Sequence, residues 1–226
     1  MSSYTISPYR YERKWIITNQ NFDEVFISLK RSKLFFVSQH NDRNINSLYF
    51  DDSSLSTIHQ KLDGINDKEK FRLRWYGDIN VLKNPKLEVK YKNGFLVQKK
   101  FIKVNELNNL KFFNNKNLEI IDKHINKVLN FKNKLEPILS THYKRSYFIS
   151  SNGLIRATLD RNIRSFLLTK NKDKNICKSY NEIILEVKYD LNLDSYVRNN
   201  LRNISVLLAK NSKYVNGAVN NADFFA

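Results

Sequence analysis

Six separate segments of this chain alternate bulky apolar and charged residues at a period of two. Successive side chains of a strand point to opposite faces, so this pattern describes strands with two chemically distinct sides. In Lys70–Tyr76, the residues Phe71, Leu73 and Trp75 share one face, while Lys70, Arg72 and Arg74 share the other. Leu87, Val89 and Tyr91 oppose Glu88, Lys90 and Lys92 in the same way. Glu12 and Lys14 share a face of Tyr11–Ile17, and Tyr143, Arg145 and Tyr147 share one between Thr141 and Ile149. Arg156, Thr158 and Asp160 oppose Ile155, Ala157 and Leu159, and Glu186 and Lys188 oppose Leu185 and Val187. On one flat sheet the charged side would simply be solvated. Here a Glu-x-Lys step recurs at Glu12, Glu88 and Glu186, and the apolar alternates are large enough to need cover. An antiparallel sheet closed into a barrel satisfies both demands, with apolar residues outward under helices and charge inward around a wet tunnel. The expected fold class is therefore α+β, an antiparallel β-barrel tunnel with helices packed outside.

The helices follow from the 3.6-residue period. Phe22, Val25, Phe26 and Leu29 form one stripe, predicting a helix from Asn21 to Ser32. Leu118, Ile121, Ile125, Val128 and Leu129 predict a second from Asn115 to Phe131. Asp194 is placed to cap a third with Val197, Leu201, Ile204 and Leu208 as its stripe, and Ser53 or Ser54 to cap a short one ending near Gly64. Asn93-Gly94 predicts a hairpin turn, with Phe95 to Val104 as the returning strand. The Asn-rich stretch from Asn105 to Asn117 reads as a connection, and no internal repeat appears, so residues 1–226 are expected to form one domain.

Composition narrows the chemistry. The 39 Lys+Arg exceed the 22 Asp+Glu and leave a formal charge of +17, which favours polyanionic partners. An AT-rich genome also enriches Lys and Asn, so placement of the charge carries the argument. The single cysteine, Cys177, excludes an internal disulfide framework and a Cys-rich zinc site. His40, His59, His124 and His142 lack ligand spacing and are read as structural, and Asp160 is read as an ion-pair partner of Arg156. Tyr49, Trp75 and Tyr76 are read as core or rim residues. Gly64, Gly77, Gly94, Gly153 and Gly217 are isolated, so no phosphate-binding glycine loop is present. No recognised nucleic-acid motif occurs, so nucleic acid is not an expected partner. No run reaches 18 apolar residues and Met1 to Ile17 has no contiguous apolar segment, so neither a membrane span nor a secretory leader is expected and a cytoplasmic location follows.

Six motifs in order then resemble a known family: Arg10-Tyr-Glu-Arg-Lys14, Ser47-Leu-Tyr-Phe-Asp-Asp52, Lys70-Phe-Arg-Leu-Arg-Trp-Tyr76, Leu87-Glu-Val-Lys90, His142-Tyr-Lys-Arg-Ser146 and Leu185-Glu-Val-Lys188. The chain resembles VTC-type polyphosphate polymerase domains of the CYTH, or triphosphate tunnel metalloenzyme, superfamily, from about Arg10 to Gly217. The resemblance implies a β tunnel that binds ATP or another nucleoside triphosphate with a divalent metal (Mn²⁺ or Mg²⁺) and transfers the γ-phosphate onto inorganic polyphosphate. It implies catalytic roles for Lys14, Arg72, Arg74, Lys90 and Arg145, and a metal-binding role for Glu186. Substrate contacts are implied for Glu12, for Lys99 or Lys100 after the hairpin, and for Tyr143, Lys188, Ser212 and Lys213. The superfamily's opening Glu-x-Glu-x-Lys reads here Arg10-x-Glu12-x-Lys14, a departure that fits the polymerase branch better than the triphosphatase branch. Full-length eukaryotic relatives carry an N-terminal sensing domain and membrane spans, neither of which is read in these residues, so the expected resemblance is to stand-alone bacterial forms. A triphosphatase of the same fold and a non-catalytic polyphosphate- or nucleotide-binding module are the alternatives.

Overall fold

The structure is a computed structural model of the full chain, and it describes residues 4–18, 22–65, 68–93, 96–112, 114–131, 133–168, 176–201 and 212–219. Ten strands occur in this part of the chain: β1 (Tyr4–Ile6), β2 (Arg10–Ile17), β3 (Val37–Asp51), β4 (Lys68–Tyr76), β5 (Lys86–Asn93), β6 (Leu96–Lys103), β7 (Glu136–Ile149), β8 (Arg156–Leu167), β9 (Ile176–Tyr180) and β10 (Ile183–Tyr189). Five α-helices accompany them: α1 (Phe22–Lys30), α2 (Ser56–Leu62), α3 (Asn115–Leu129), α4 (Asp194–Asn200) and α5 (Lys213–Val219). The sheet runs β6-β2-β10-β8-β7-β3-β4-β5, and β5 pairs with β6 again, which closes eight strands into a barrel. Every pairing is antiparallel. β1 extends the wall along β6, and β9 adds to the outer end of β8.

The alternation seen in the sequence sorts cleanly onto this barrel. Outward-facing Trp15, Ala157, Leu159, Leu185 and Val187 are buried beneath Val25 and Leu29 of α1 and Val197 of α4. Outward-facing Leu48, Leu73, Trp75, Leu87 and Val89 are buried beneath Ile121 and Ile125 of α3. Removing such side chains from water stabilises the fold by roughly 1.5–3 kcal/mol each, so the helices exist to cover this face. Trp75 satisfies its one polar atom by donating Nε1–H to the Asp78 carbonyl at 3.0 Å.

α5 sits differently. Its Tyr214 ring stacks on Tyr49 at 5.1 Å and its Tyr214 hydroxyl donates to Asp51 Oδ2 at 2.8 Å, both residues belonging to the inner phase of β3. A Cβ on Gly217 would stand 2.6 Å from Leu139 Cδ2 and 3.2 Å from Ser165 Cβ, so only glycine permits this approach.

Two local expectations need correction. The α4 helix begins at Asp194, but the side chain does not cap it: Arg13 donates to Asp194 at 2.7–3.1 Å and the Tyr189 hydroxyl donates at 2.7 Å. Ile204 and Leu208, assigned to its stripe, lie outside the described residues. At α2 the serines do not cap either. Asp51 and Asp52 accept from the backbone N–H groups of Thr57 and Ser56 at 3.1 and 3.0 Å, because carboxylates match the positive helix start better than hydroxyls. β5 and β6 pair as expected, with Asn93 opposite Leu96, while Gly94 lies outside the described residues.

Candidate functional site

Register brings the charged phases of separate strands together inside the barrel. Lys14 stands opposite Glu186, and Glu12 opposite Lys188. Arg72 faces Glu88 across β4 and β5, Lys90 lies between Lys70 and Lys99, and Arg145 faces Asp160. Three linked ion clusters result. In the first, Glu12 Oε1 meets Lys14 Nζ at 3.1 Å and Lys90 Nζ at 2.9 Å, while Glu186 meets Lys14 at 3.2 Å and also pairs with Lys188. In the second, Arg72 donates Nε–H and Nη2–H to Glu88 Oε2 at 2.9 and 2.5 Å, and Arg74 reaches Oε1 at 3.3 Å. In the third, Arg145 forks onto Asp160 at 2.5 and 2.7 Å, Lys213 reaches the same carboxylate at 2.5 Å, and both cations sit over the Tyr143 ring. Ser212 is held beside them by Lys70, which donates to its hydroxyl at 2.7 Å.

Among the described residues, the cations of this interior (Lys14, Lys70, Arg72, Arg74, Lys90, Lys99, Arg145, Lys188, Lys213) thus outnumber its carboxylates (Glu12, Asp51, Glu88, Asp160, Glu186). The electrostatics follow from that excess. Burial pushes the Glu186 carboxyl up, but Lys188, Lys14, Arg145 and Lys90 outweigh it and hold the group well below the usual range. Burial and Glu186 push Glu12 up, and Lys90, Lys14 and Lys188 overcome both. Against burial, Arg145 and Lys213 hold Asp160 at about 2. Lys99 shows the converse: burial, then Lys188 and Arg72, drive its ammonium well below the ordinary lysine value. Tyr49 is lowered despite burial, because Arg72, Arg74 and Lys213 stabilise its phenolate.

All the expected inward residues except one line this interior. The hairpin register separates Lys99 from Lys100: Lys99 lies opposite Lys90 on the charged phase, and Lys100 lies opposite Val89 on the outer one. Lys100 is therefore withdrawn as a tunnel residue, since a one-residue step reverses the face. The Arg156–Asp160 pairing is also wrong. Four residues along a strand span about 13 Å, whereas Arg145 is the cross-strand neighbour. Asp160 and Tyr49 belong to the site without having been assigned to it. Both stand in the inward phase of recognised segments, which is the signal that marks them. His142 is structural as expected: its ring contacts Asn46 Oδ1 at 2.9 Å and Ser140 Oγ at 3.0 Å, and burial pushes it down to about 3.

Among the described residues no group of three or more His, Cys, Asp or Glu could hold a metal. The donor chemistry fits a hard divalent ion nonetheless. Glu186 and Glu12 are ionised carboxylates that share Lys14, and Mg²⁺ or Mn²⁺ is commonly held by one or two carboxylates with substrate phosphates completing the shell.

A closed antiparallel barrel with helices outside and cations inside is the triphosphate-tunnel fold. Within that class the chain belongs to the VTC domain family, whose model matches residues 9–220. A curated relative is the Vacuolar transporter chaperone complex subunit 2 of Saccharomyces cerevisiae, 31% identical over 152 residues. That match spans 54% of this chain and 18% of the yeast protein. Among solved structures, a Vibrio parahaemolyticus protein described as a "putative adenylate cyclase" superposes with a TM-score of 0.52 at 12% identity, covering 92% of this chain and 99% of its own. The PH1819 protein of Pyrococcus horikoshii gives a TM-score of 0.49 at 13% identity over 91% of this chain and 96% of its own. Among the described residues, no helix is long and apolar enough to cross a membrane.

Proposed function

We propose that this chain is a metal-dependent phosphotransferase that moves the γ-phosphoryl group of ATP onto a growing polyphosphate chain inside the barrel. The observation that carries this reading is the excess of inward cations over inward carboxylates in a closed barrel. A linear polyphosphate is a flexible row of oxyanions, and a ring of Arg forks and Lys ammoniums is its complement. Residues 1–226 act in this reading as one domain.

In the proposed reaction the terminal oxygen of the acceptor polyphosphate attacks the γ-phosphorus, the bond to the β–γ bridging oxygen breaks, and ADP leaves. The chain ends one phosphate longer. Arg72, Arg74 and Arg145 hold the phosphoryl oxygens, where charge is spread in the transition state, and Lys14, Lys90 and Lys188 align donor and acceptor. Lys99, Tyr143, Ser212 and Lys213 complete the contacts. Glu186, with Glu12 beside it, would hold the divalent ion, which offsets phosphate charge when bound. An anionic chain end needs no general base to become a nucleophile. Water must lose a proton on attack, and that step separates the triphosphatase alternative from polymerisation.

Incubation with ATP and Mn²⁺, followed by gel detection of polyphosphate and of free phosphate, tests the proposal. A ladder of long chains is expected. Free phosphate alone would assign a triphosphatase, and neither product, with tripolyphosphate still bound, would assign a binding module.

Two further outcomes follow. Arg72→Ala should weaken tripolyphosphate binding about tenfold or more as well as slow turnover, because a charge-assisted contact contributes roughly 1.5–3 kcal/mol and serves ground and transition states alike. Isothermal titration and initial rates measure the two effects separately. Tripolyphosphate affinity should also fall with salt less steeply than that of a DNA-binding protein, since buried charges are little screened. Titrations across a salt series give the slope.

A further inference from the structure

We propose that one end of the barrel docks on an anionic phospholipid surface through two adjoining turns, residues 31–37 and 150–155. Phe35, Val37 and Leu154 are 66%, 51% and 55% exposed, although Phe35 stands between deeply buried Leu34 and Phe36, Val37 follows Phe36, and Leu154 precedes fully buried Ile155. Leu34 and Phe36 are anchored in the core at 2% exposure, and the residue between them is turned outward. Phe35 does so with φ 48, the left-handed region, where a bulky side chain costs roughly 1–2 kcal/mol. In the second turn, Ser150 N–H donates to the Ile155 carbonyl at 2.8 Å and Gly153 adopts φ 75, which leaves Leu154 at the tip. Ser151 N–H donates to the Leu34 carbonyl at 3.3 Å, so the two turns form one surface.

The charge carried by the two turns themselves has one sign, and the carboxylate at this end, Asp190, two residues beyond the Lys188 that neighbours Arg156, is met by Arg10 at 3.9 Å. Lys30, Arg31, Lys33 and Arg156 are all exposed, and no Asp or Glu occurs from residue 30 to 41 or from 150 to 156. Cations meeting lipid phosphates while apolar tips enter the headgroup–acyl boundary is the pattern that binds an anionic bilayer interface. A free polyanion has no use for Phe, Val and Leu. Phe35 and Leu154 stand on turn tips and Val37 at the start of β3, a shallow apolar set that suits insertion at a headgroup boundary. Arg156, which ends the second turn, is the cross-strand neighbour of Lys188, so the docking end is the one toward which that tunnel lysine lies.

Sedimentation with phosphatidylcholine vesicles, with and without about one-third phosphatidylserine, tests this. With a net charge of +17, some adhesion at low salt is general, so the comparison is repeated near 0.5 M salt, where long-range attraction is screened. The wild type should remain bound to the anionic vesicles. Phe35→Asn combined with Leu154→Ser should lose at least tenfold in binding while tripolyphosphate affinity is unchanged, and Asn suits the left-handed backbone, so the fold is kept. Arg31→Glu with Lys33→Glu should lose about fivefold or more per position. Equal sedimentation of the apolar variant and wild type, or no wild-type binding near 0.5 M salt, would overturn the proposal. Release of the protein by tripolyphosphate would move the contact to the tunnel and overturn it equally. Capture by an acidic protein without vesicle binding would assign this face to a protein partner instead.

Discussion

Glu186→Gln should slow phosphoryl transfer by roughly a hundredfold or more while leaving triphosphate capture nearly intact. Capture depends on the inward cations, and the substitution removes an acidic group from among them. It frees Lys14 and Lys188, which now pair with this carboxylate, and Lys14 retains Glu12 at 3.1 Å. Binding therefore holds or tightens. In the proposed reaction turnover responds differently, because Gln keeps the size and one acceptor oxygen but lacks the charge that would hold a divalent ion beside the transferring phosphate. A metal's charge offset is worth several kcal/mol in such transition states, and about 1.4 kcal/mol is tenfold in rate. Steady-state rates over a Mn²⁺ series, paired with calorimetric binding of tripolyphosphate, separate the two quantities. Equal metal-dependent rates in the two proteins would move the ion to Glu12. Loss of binding along with rate would instead make Glu186 a structural member of the cluster.

What could be read from the sequence was whatever one strand displays by itself. Lys70–Tyr76, Leu87–Lys92 and Ile183–Tyr189 were legible because their outer faces lie under helices and their inner faces line a charged interior, so the two sides differ sharply in chemistry. β3 was not legible over its first half: Gln39, Asn41, Asp42, Asn44 and Asn46 are polar on both sides, and register shifts between Ser38 and Arg43 break the period. α5 was missed for another reason. At seven residues it is too short to show a stripe, and it packs against the inner phase, where Gly217 is demanded by contact and not by helix propensity. The inward residues were identified by phase, but their partners were not. Lys90 meets Glu12 from 78 positions away and Lys213 meets Asp160 from 53, and such pairs exist only once register is set. The Lys99 and Lys100 ambiguity is the same problem in miniature, since one residue of register decides the face.

Asp160 gives the second large effect, this time on stability. It is completely buried, and among the described residues it is the carboxylate that Arg145 and Lys213 pair with, at 2.5–2.7 Å. Removing one partner from a buried ion cluster costs about 3–5 kcal/mol, because the remaining charges stay desolvated and unpaired. For a chain of this length, that lowers the melting temperature of Asp160→Asn by roughly 10 °C. The pH dependence has a definite sign. Asp160 is held at about 2 in the fold, below its unfolded value near 4, so its contribution is complete above about pH 4 and is lost as pH falls toward 2. The acid limb of melting temperature against pH should accordingly be shallower in Asp160→Asn than in the wild type. Tripolyphosphate supplies the test that ties this to function. If the interior carboxylates occupy in the empty barrel the positions that substrate phosphates take, the ligand should raise the variant's melting temperature more than the wild type's, since it meets two unpaired cations without first displacing a carboxylate. Thermal melts with and without tripolyphosphate measure this directly. Equal ligand-induced shifts would mean that Arg145 and Lys213 serve the fold alone and that phosphates bind elsewhere along the tunnel.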